Sequence, residues 1–343
     1  MSSTRPSLRL LLGGDVMLGR LVAGVLSRQG AGYPFSALSE LVGAADLFFV
    51  NLECAITAQQ QLFGGTPKAF YFCADPDAVS VLTSAGVDLV SLANNHALDA
   101  DVDGLTDTLA ILARHGIACA GAGANLSEAA SVRAIDHQGQ SLGVLAVCDH
   151  QEDFAASDTR PGIHYLNLRD SQDRRRLVER VHTEAPRFDH LIVSLHWLPN
   201  WVPSIPHAYR QLAHDLIEAG ARVVWGHSPH HILGAEWWSG GVALYSTGDL
   251  IDDYALDATY RNDRQLLYLL ELSTEGVDRL TAFPIVLDMG RAQPADLEAR
   301  QWIERRLRGA CQRLGSEVAA AERDALEILP GFAGGAHVAA GLP

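Results

Sequence analysis

Apolar residues in this chain fall into short runs, each stopped by a glycine or a polar cluster. Leu8–Leu12, Ala45–Val50, Val87–Leu92, Ile117–Ala120, Leu142–Cys148, His190–Leu195, Val223–Trp225 and Val242–Ser246 read as buried strands. A continuous apolar run too short for a helix suits a strand covered on both faces. Phe70-Tyr71-Phe72 reads as a further short strand. Leu18–Leu26, Gly104–His115, Ser171–Glu184 and His207–Ala219 carry helical patterns, with Gly116 and Gly220 suited to close two of them. Asp75–Ala85 has Asp75 as a candidate cap and Pro76 at the first helical position. Gln265–Leu272 and Leu280–Leu287 alternate like an antiparallel pair, and Ala295–Leu314 reads as a helix rich in Arg and Glu. Thr57–Lys68 is a polar, glycine-containing loop and a candidate lid; Asp153–Asp170 reads as irregular.

Strands and helices alternate up to Val224, which predicts an α/β architecture. The later strands lack intervening helices, so mixed strand directions or a second sheet layer are expected. The simplest division is one domain over residues 1–290, a helical appendage over 291–330 and a disordered Gly/Ala tail over 331–343.

Composition narrows the partners. The chain has 343 residues, 48% of them hydrophobic, and a formal net charge of −15. That balance argues against a general nucleic-acid or anionic-membrane surface. Five cysteines in no CxxC spacing read as reduced thiols in apolar surroundings. The first apolar run is too short for a signal-peptide core, and no run reaches membrane-spanning length. A cytoplasmic protein is expected, of unspecified oligomeric state.

Candidate chemistry collects after the strands. Val223–Glu236 is a β-branched pair, a glycine and then three imidazoles, His227, His230 and His231. Gly13-Gly14 is expected to turn the backbone and leave Asp15 just past a strand end. Asn51 and Glu53 share one side of another end; Asn95/His96 and His196 follow two more. One such residue is more often a turn or core group, but five polar strand ends in one α/β chain point to a ligand site. The donors are nitrogen and oxygen without thiolate, which suits one or two divalent ions, Mn²⁺, Fe²⁺ or Zn²⁺.

Gly14-Asp15-Val16-Met17-Leu18-Gly19-Arg20, Asn51-Leu52-Glu53, Ala93-Asn94-Asn95-His96, Leu195-His196-Trp197 and Gly226-His227-Ser228-Pro229-His230 stand in an order that resembles the CapA family. That family, named for a poly-γ-glutamate capsule protein, looks like a branch of the calcineurin-like metallophosphoesterases. The resemblance covers about Leu10 to Leu287 and implies layered sheets flanked by helices. It implies metal ligands at Asp15, Glu53, Asn95, His196, His227 and His230, with Glu53 bridging two metals. His96 would protonate a leaving group. Asp249, in Gly248-Asp249-Leu250 where the family usually has Gly-Asn-Phe, adds a candidate catalytic carboxylate. Asn51, Arg20 and Asn200 are candidate substrate contacts, Asn200 standing where the family's His-Trp-Gly-x-Glu has its Glu. Met17 occupies the place of the superfamily's Asp-x-His imidazole.

These residues imply a metal-dependent enzyme acting on a phosphoester or amide-type bond, in capsule, poly-γ-glutamate or peptide metabolism. The substrate would be a small molecule, a peptide or polyglutamate. The alternatives are a metal-dependent peptide epimerase working at Cα, and a non-catalytic polymer-handling scaffold.

Overall fold

A computed structural model describes residues 7–331; the expected tail after Gly331 lies outside the described residues. Two sheets form the body, both of mixed direction, as the alternation and its later breakdown imply. The larger has ten strands among the described residues. Leu8–Val16, Leu47–Leu52, Leu89–Ser91 and Ala118–Ala120 run parallel in that order. On the other side of Leu8–Val16, strands Arg264–Ser273, Gly276–Leu287, Leu326–Pro330 and Ser316–Ala320 continue the sheet antiparallel. The second sheet has six strands. Its parallel centre is Gln140–Cys148, His190–His196, Ala221–His227 and Gly241–Leu244, with antiparallel strands Arg133–His137 and Ala235–Trp238 at its edges.

The apolar runs are continuous because the second sheet is buried on both faces. Val144, Ala146, Ile192, Val223 and Trp225 pack into the core shared with the first sheet. Their neighbours Leu145, Val147, Val193, Leu195 and Val224 pack with Leu177 and Val181 of the helix Ser171–Glu184, and with Leu212 and Leu216 of the helix His207–Glu218. Polar ties also cross between the sheets: Ser194 Oγ lies 3.1 Å from Ser91 Oγ, and Trp225 Nε1 donates to the Gly13 carbonyl at 3.1 Å.

Several local expectations change. The first strand does not turn at Gly13-Gly14; it runs on to Val16, with a register shift between Leu12 and Asp15. The glycines serve close approach instead. A Cβ on Gly14 would lie 1.9 Å from the Gly248 carbonyl oxygen, and one on Gly13 2.6 Å from Leu250. The strand expected at Phe70-Tyr71-Phe72 forms just after it, at Cys73–Ala74. Asp75 makes no side-chain cap, and a 3₁₀ turn leads into the helix Val79–Ser84. Within Asp153–Asp170, Gly162–Ile163 is a short strand. The 291–330 segment does contain a helix, Leu297–Arg313, but it also gives three strands to the larger sheet, Ala292–Pro294, Ser316–Ala320 and Leu326–Pro330. All five cysteines are free. No helix among the described residues is long and apolar enough to cross a membrane.

Candidate metal centre

The parallel strands of both sheets end at one place. In the first sheet Asp15 lies in register with Asn51 on one side and with Asp249 on the other. In the second, His196 is in register with His227. Backbone bonds from Asp15 N to Gly248 O (2.9 Å) and from Thr247 N to Gly226 O (2.8 Å) join these ends. Just past the two histidines the backbone is strained, with Leu198 at φ 65° and Ser228 at φ 96°. A non-glycine residue in that region persists only where its surroundings hold it.

Two overlapping groups of donors result. Asp15, His196 and His227 bring one ligand atom each within 4.8 Å of one another, and so do Asp15, His230 and Asp249. His196 Nδ1 and His227 Nδ1 are 2.8 Å apart. His227 Nε2 is 2.8 Å from Ser194 Oγ. With the Ser194 proton given to Ser91, that oxygen accepts from Nε2–H and leaves His227 Nδ1 as a bare lone pair aimed at the site. Asp15 Oδ1 accepts from Asn51 Nδ2 at 2.8 Å, and Asn94 Nδ2 in turn donates to Asn51 Oδ1 at 3.0 Å.

The electrostatics describe a site short of positive charge. Burial, and then the Asp249 carboxylate, push Asp15 up to about 7. Glu53 rises well above the usual range through burial and then the charges of Asp15 and Asp249; burial alone does the same to Asp249. Burial holds His227 down to about 3 and lowers His196 and His230, so the imidazoles are neutral donors at pH 7. Asp15 Oδ2 and Asp249 Oδ2 are buried without a hydrogen-bond partner. Crowded carboxylates, neutral imidazoles and orphaned oxygens fit a divalent cation with nitrogen and oxygen ligands.

The other residues marked in the sequence take varied places. Glu53 Oε1 lies 3.8 Å from His196 Nε2, while Oε2 accepts from Tyr254 Oη at 2.8 Å. Of the paired amides, Asn94 is fully committed, donating to Asn51 and to the Leu52 carbonyl and accepting from His96 N. Asn95 Oδ1 is buried and unpartnered. His96 Nδ1 lies 2.5 Å from Asp99 Oδ2, and its ring stacks on Phe72 at 3.8 Å. Arg20 is at the rim, 3.4 Å from Asp253 and over the Phe70 ring at 5.1 Å. Asn200 is exposed, and the contact it makes is through its backbone carbonyl, which accepts from His230 N at 3.2 Å. Met17 is fully buried, and its sulfur accepts from Gly19 N at 3.1 Å, a local bond rather than a site contact. His231 stands outside both donor groups, packed beside the rings of Trp201 and Tyr260, which stack on each other.

Sequence reasoning missed Lys68, Asp99 and Asn94; Tyr254, which follows Asp252-Asp253 in a stretch that could line the substrate pocket, donates to Glu53. Lys68, from the expected lid, reaches the Asn95 carbonyl and the Asp99 carboxylate and lies 3.2 Å from His96 Nδ1. Asp99 also accepts from Phe72 N at 2.6 Å. Its spacing of three residues from His96 was the available signal. Nothing local marks Lys68.

Fold and site together define a layered α/β protein with a buried cluster of imidazole and carboxylate donors at its strand ends. The chain belongs to the family described as bacterial capsule synthesis protein PGA_cap, whose pattern matches residues 9–254. It is 31% identical to a "Probable polyglutamine synthesis accessory protein" of Mycobacterium tuberculosis, over 94% of this chain and 96% of that one. It is 29% identical to the PGA biosynthesis protein CapA of Bacillus subtilis, over 83% of this chain and 72% of that protein. A solved structure of a hypothetical protein from Thermus thermophilus is 20% identical, with a TM-score of 0.44, covering 84% of this chain and 98% of that one.

Proposed function

We propose that this chain is a metal-dependent hydrolase acting on a phosphoester or amide-type bond in capsule or poly-glutamate metabolism. The observation that carries the reading is the pair of buried donor groups sharing Asp15. The names of the relatives in Mycobacterium and Bacillus supply the metabolic setting. Asp15, His196, His227, His230 and Asp249 would hold the ion, with Glu53 and Asn95 beside them. A divalent cation supplies charge that stabilises a developing oxyanion and acidifies a water.

The chain's own residues do the rest. Asp99 takes the Nδ1 side of His96, which leaves Nε2 to meet a substrate proton. Burial holds His96 down to about 4, so it rests neutral at pH 7. A neutral imidazole first accepts a proton from the attacking water and then returns it to the leaving group. Arg20, at the rim, attracts an anionic substrate such as a glutamate carboxylate or a phosphoryl group.

The test is hydrolysis of bis(p-nitrophenyl) phosphate and of γ-linked oligoglutamate, with Mn²⁺ or Zn²⁺ and with chelator. Metal-dependent turnover of either supports the reading. Deuterium uptake at a peptide Cα without cleavage would replace it with epimerisation. Neither activity would leave polymer handling as the better account.

A further inference from the structure

We propose that Lys68 is the positioning residue of His96: reaching in from the 57–72 loop, its ammonium holds Asp99 and, through Asp99, fixes the imidazole with Nδ1 bonded and Nε2 free. The proposal rests on the reading of His96 as the proton-transferring group and adds what sets it. Lys68 is the only lysine of the chain; every other basic residue among its 26 Lys and Arg is arginine. From Ala58 to Phe70 every residue of the loop is exposed except Phe63 and Lys68. The Lys68 side chain keeps only 7% of its surface, and an ammonium is buried only where partners offset the lost water. Those partners are the Asn95 carbonyl and Asp99 Oδ1, with the Phe154 ring 5.0 Å away. A compact ammonium meets such groups from one point, which the planar fork of an arginine does not.

Asp99 gathers the rest of the loop. Its Oδ2 accepts from Phe72 N at 2.6 Å, and its backbone carbonyl accepts from Phe63 N at 3.0 Å. The same Oδ2 lies 2.5 Å from His96 Nδ1, and the Phe72 ring stacks on the imidazole at 3.8 Å. A carboxylate that takes the ammonium on one oxygen and a backbone N–H on the other acts as an acceptor only, so the proton between it and His96 sits on Nδ1. Lys68 Nζ, 3.2 Å from that nitrogen, then finds no lone pair there, and its hold on the ring passes through Asp99. The loop therefore does more than cover the site: through its one buried cation it selects the His96 tautomer in which Nε2 accepts a proton.

The experiment reads the His96 tautomer at pH 7 by ¹⁵N–¹H correlation spectra of the histidine-labelled full chain, the His96 signals being those lost in His96→Gln. The wild type is expected to carry its proton on Nδ1 with Nε2 bare. A wild type protonated on Nε2 would overturn the proposal without any further variant. Lys68→Met, close in length and uncharged, leaves Asp99 Oδ1 buried with no donor, which weakens its hold on Nδ1–H. With its fold checked by circular dichroism, that variant is expected to populate both tautomers. On whichever substrate the wild type turns over, it is expected to lower kcat by about 10²-fold with KM unchanged. An unchanged tautomer or an unchanged kcat in Lys68→Met would overturn the role of Lys68. A wild type that hydrolyses neither test substrate would overturn the hydrolase reading, and the tautomer, read without substrate, would still decide this one.

Discussion

At the scale of single residues, the site is a balance of charge. Asp15 is raised to about 7 and Asp249 and Glu53 well above the usual range, with burial the first cause in each. A group raised in the folded state holds its proton more tightly there, so its contribution to stability is full below the unfolded value and is lost as pH rises through the folded one. The metal-free protein is therefore expected to lose stability from about pH 4 upward as these carboxylates ionise, the Asp15 share being lost by about pH 7. Binding a cation must expel those protons, so affinity rises with pH and protons are released. Calorimetry with Mn²⁺ in buffers of different ionisation enthalpy measures both; pH-independent affinity would contradict the charge balance. His96 makes a separate expectation. His96→Gln should lower kcat by about 10²–10⁴-fold, the usual worth of a proton-transferring side chain, and leave metal content unchanged. Loss of metal in that variant would place His96 among the ligands.

At the scale of elements, the centre depends on two strands touching backbone to backbone. Gly14 and Gly248 meet so closely that a Cβ on Gly14 would lie 1.9 Å from the Gly248 oxygen. Gly14→Ala must therefore separate Asp15 from Asp249. It is expected to cost about 3 kcal/mol or more, at the upper end for overpacking, and to weaken metal binding with it. A variant with the wild-type Tm and metal content would refute that close-approach account. The same contact shows why the sequence was legible only in part. Buried parallel strands announce themselves as apolar runs, and their ends mark Asp15, Asn51, His196 and His227. Two adjacent glycines look like a turn when the chain is read locally, because the groups that demand them come from residues 248 and 250. Lys68 was illegible for a similar reason, as was the partner of Tyr254. The contacts with Asp99 and Glu53 are set by folding and not by any period along the chain.

At the scale of the molecule, the second sheet is braced away from the site by a buried polar cluster. Glu236 accepts from Tyr245 Oη at 2.6 Å and from Arg210 Nε at 3.1 Å, and lies 3.0 Å from His214 Nε2. Burial would raise this carboxyl, but the hydrogen bonds from His214, Arg210 and Tyr245 together hold it below its usual value. A lowered value contributes stability above the unfolded one, and that contribution is lost as pH falls through the folded value. Glu236→Gln is expected to cost about 1–3 kcal/mol at pH 7, discounted because Arg210 is partly exposed, and to flatten the acid side of the stability curve. Urea melts at pH 7 and pH 4 measure this; an equal loss at both would contradict it. The C-terminal strands complete the larger sheet by pairing with Gly276–Leu287, so chain distant from the site in sequence is built into the same body.

Divalent metal binding at the converging strand ends is what the proposed function requires. Its most direct test is the metal content of the purified protein by plasma mass spectrometry, wild type against His227→Ala, after incubation with Mn²⁺ and removal of free ion. The expected result is two equivalents in the wild type and one or fewer in the variant. A wild type without metal, or a variant that binds as much as the wild type, would contradict the claim.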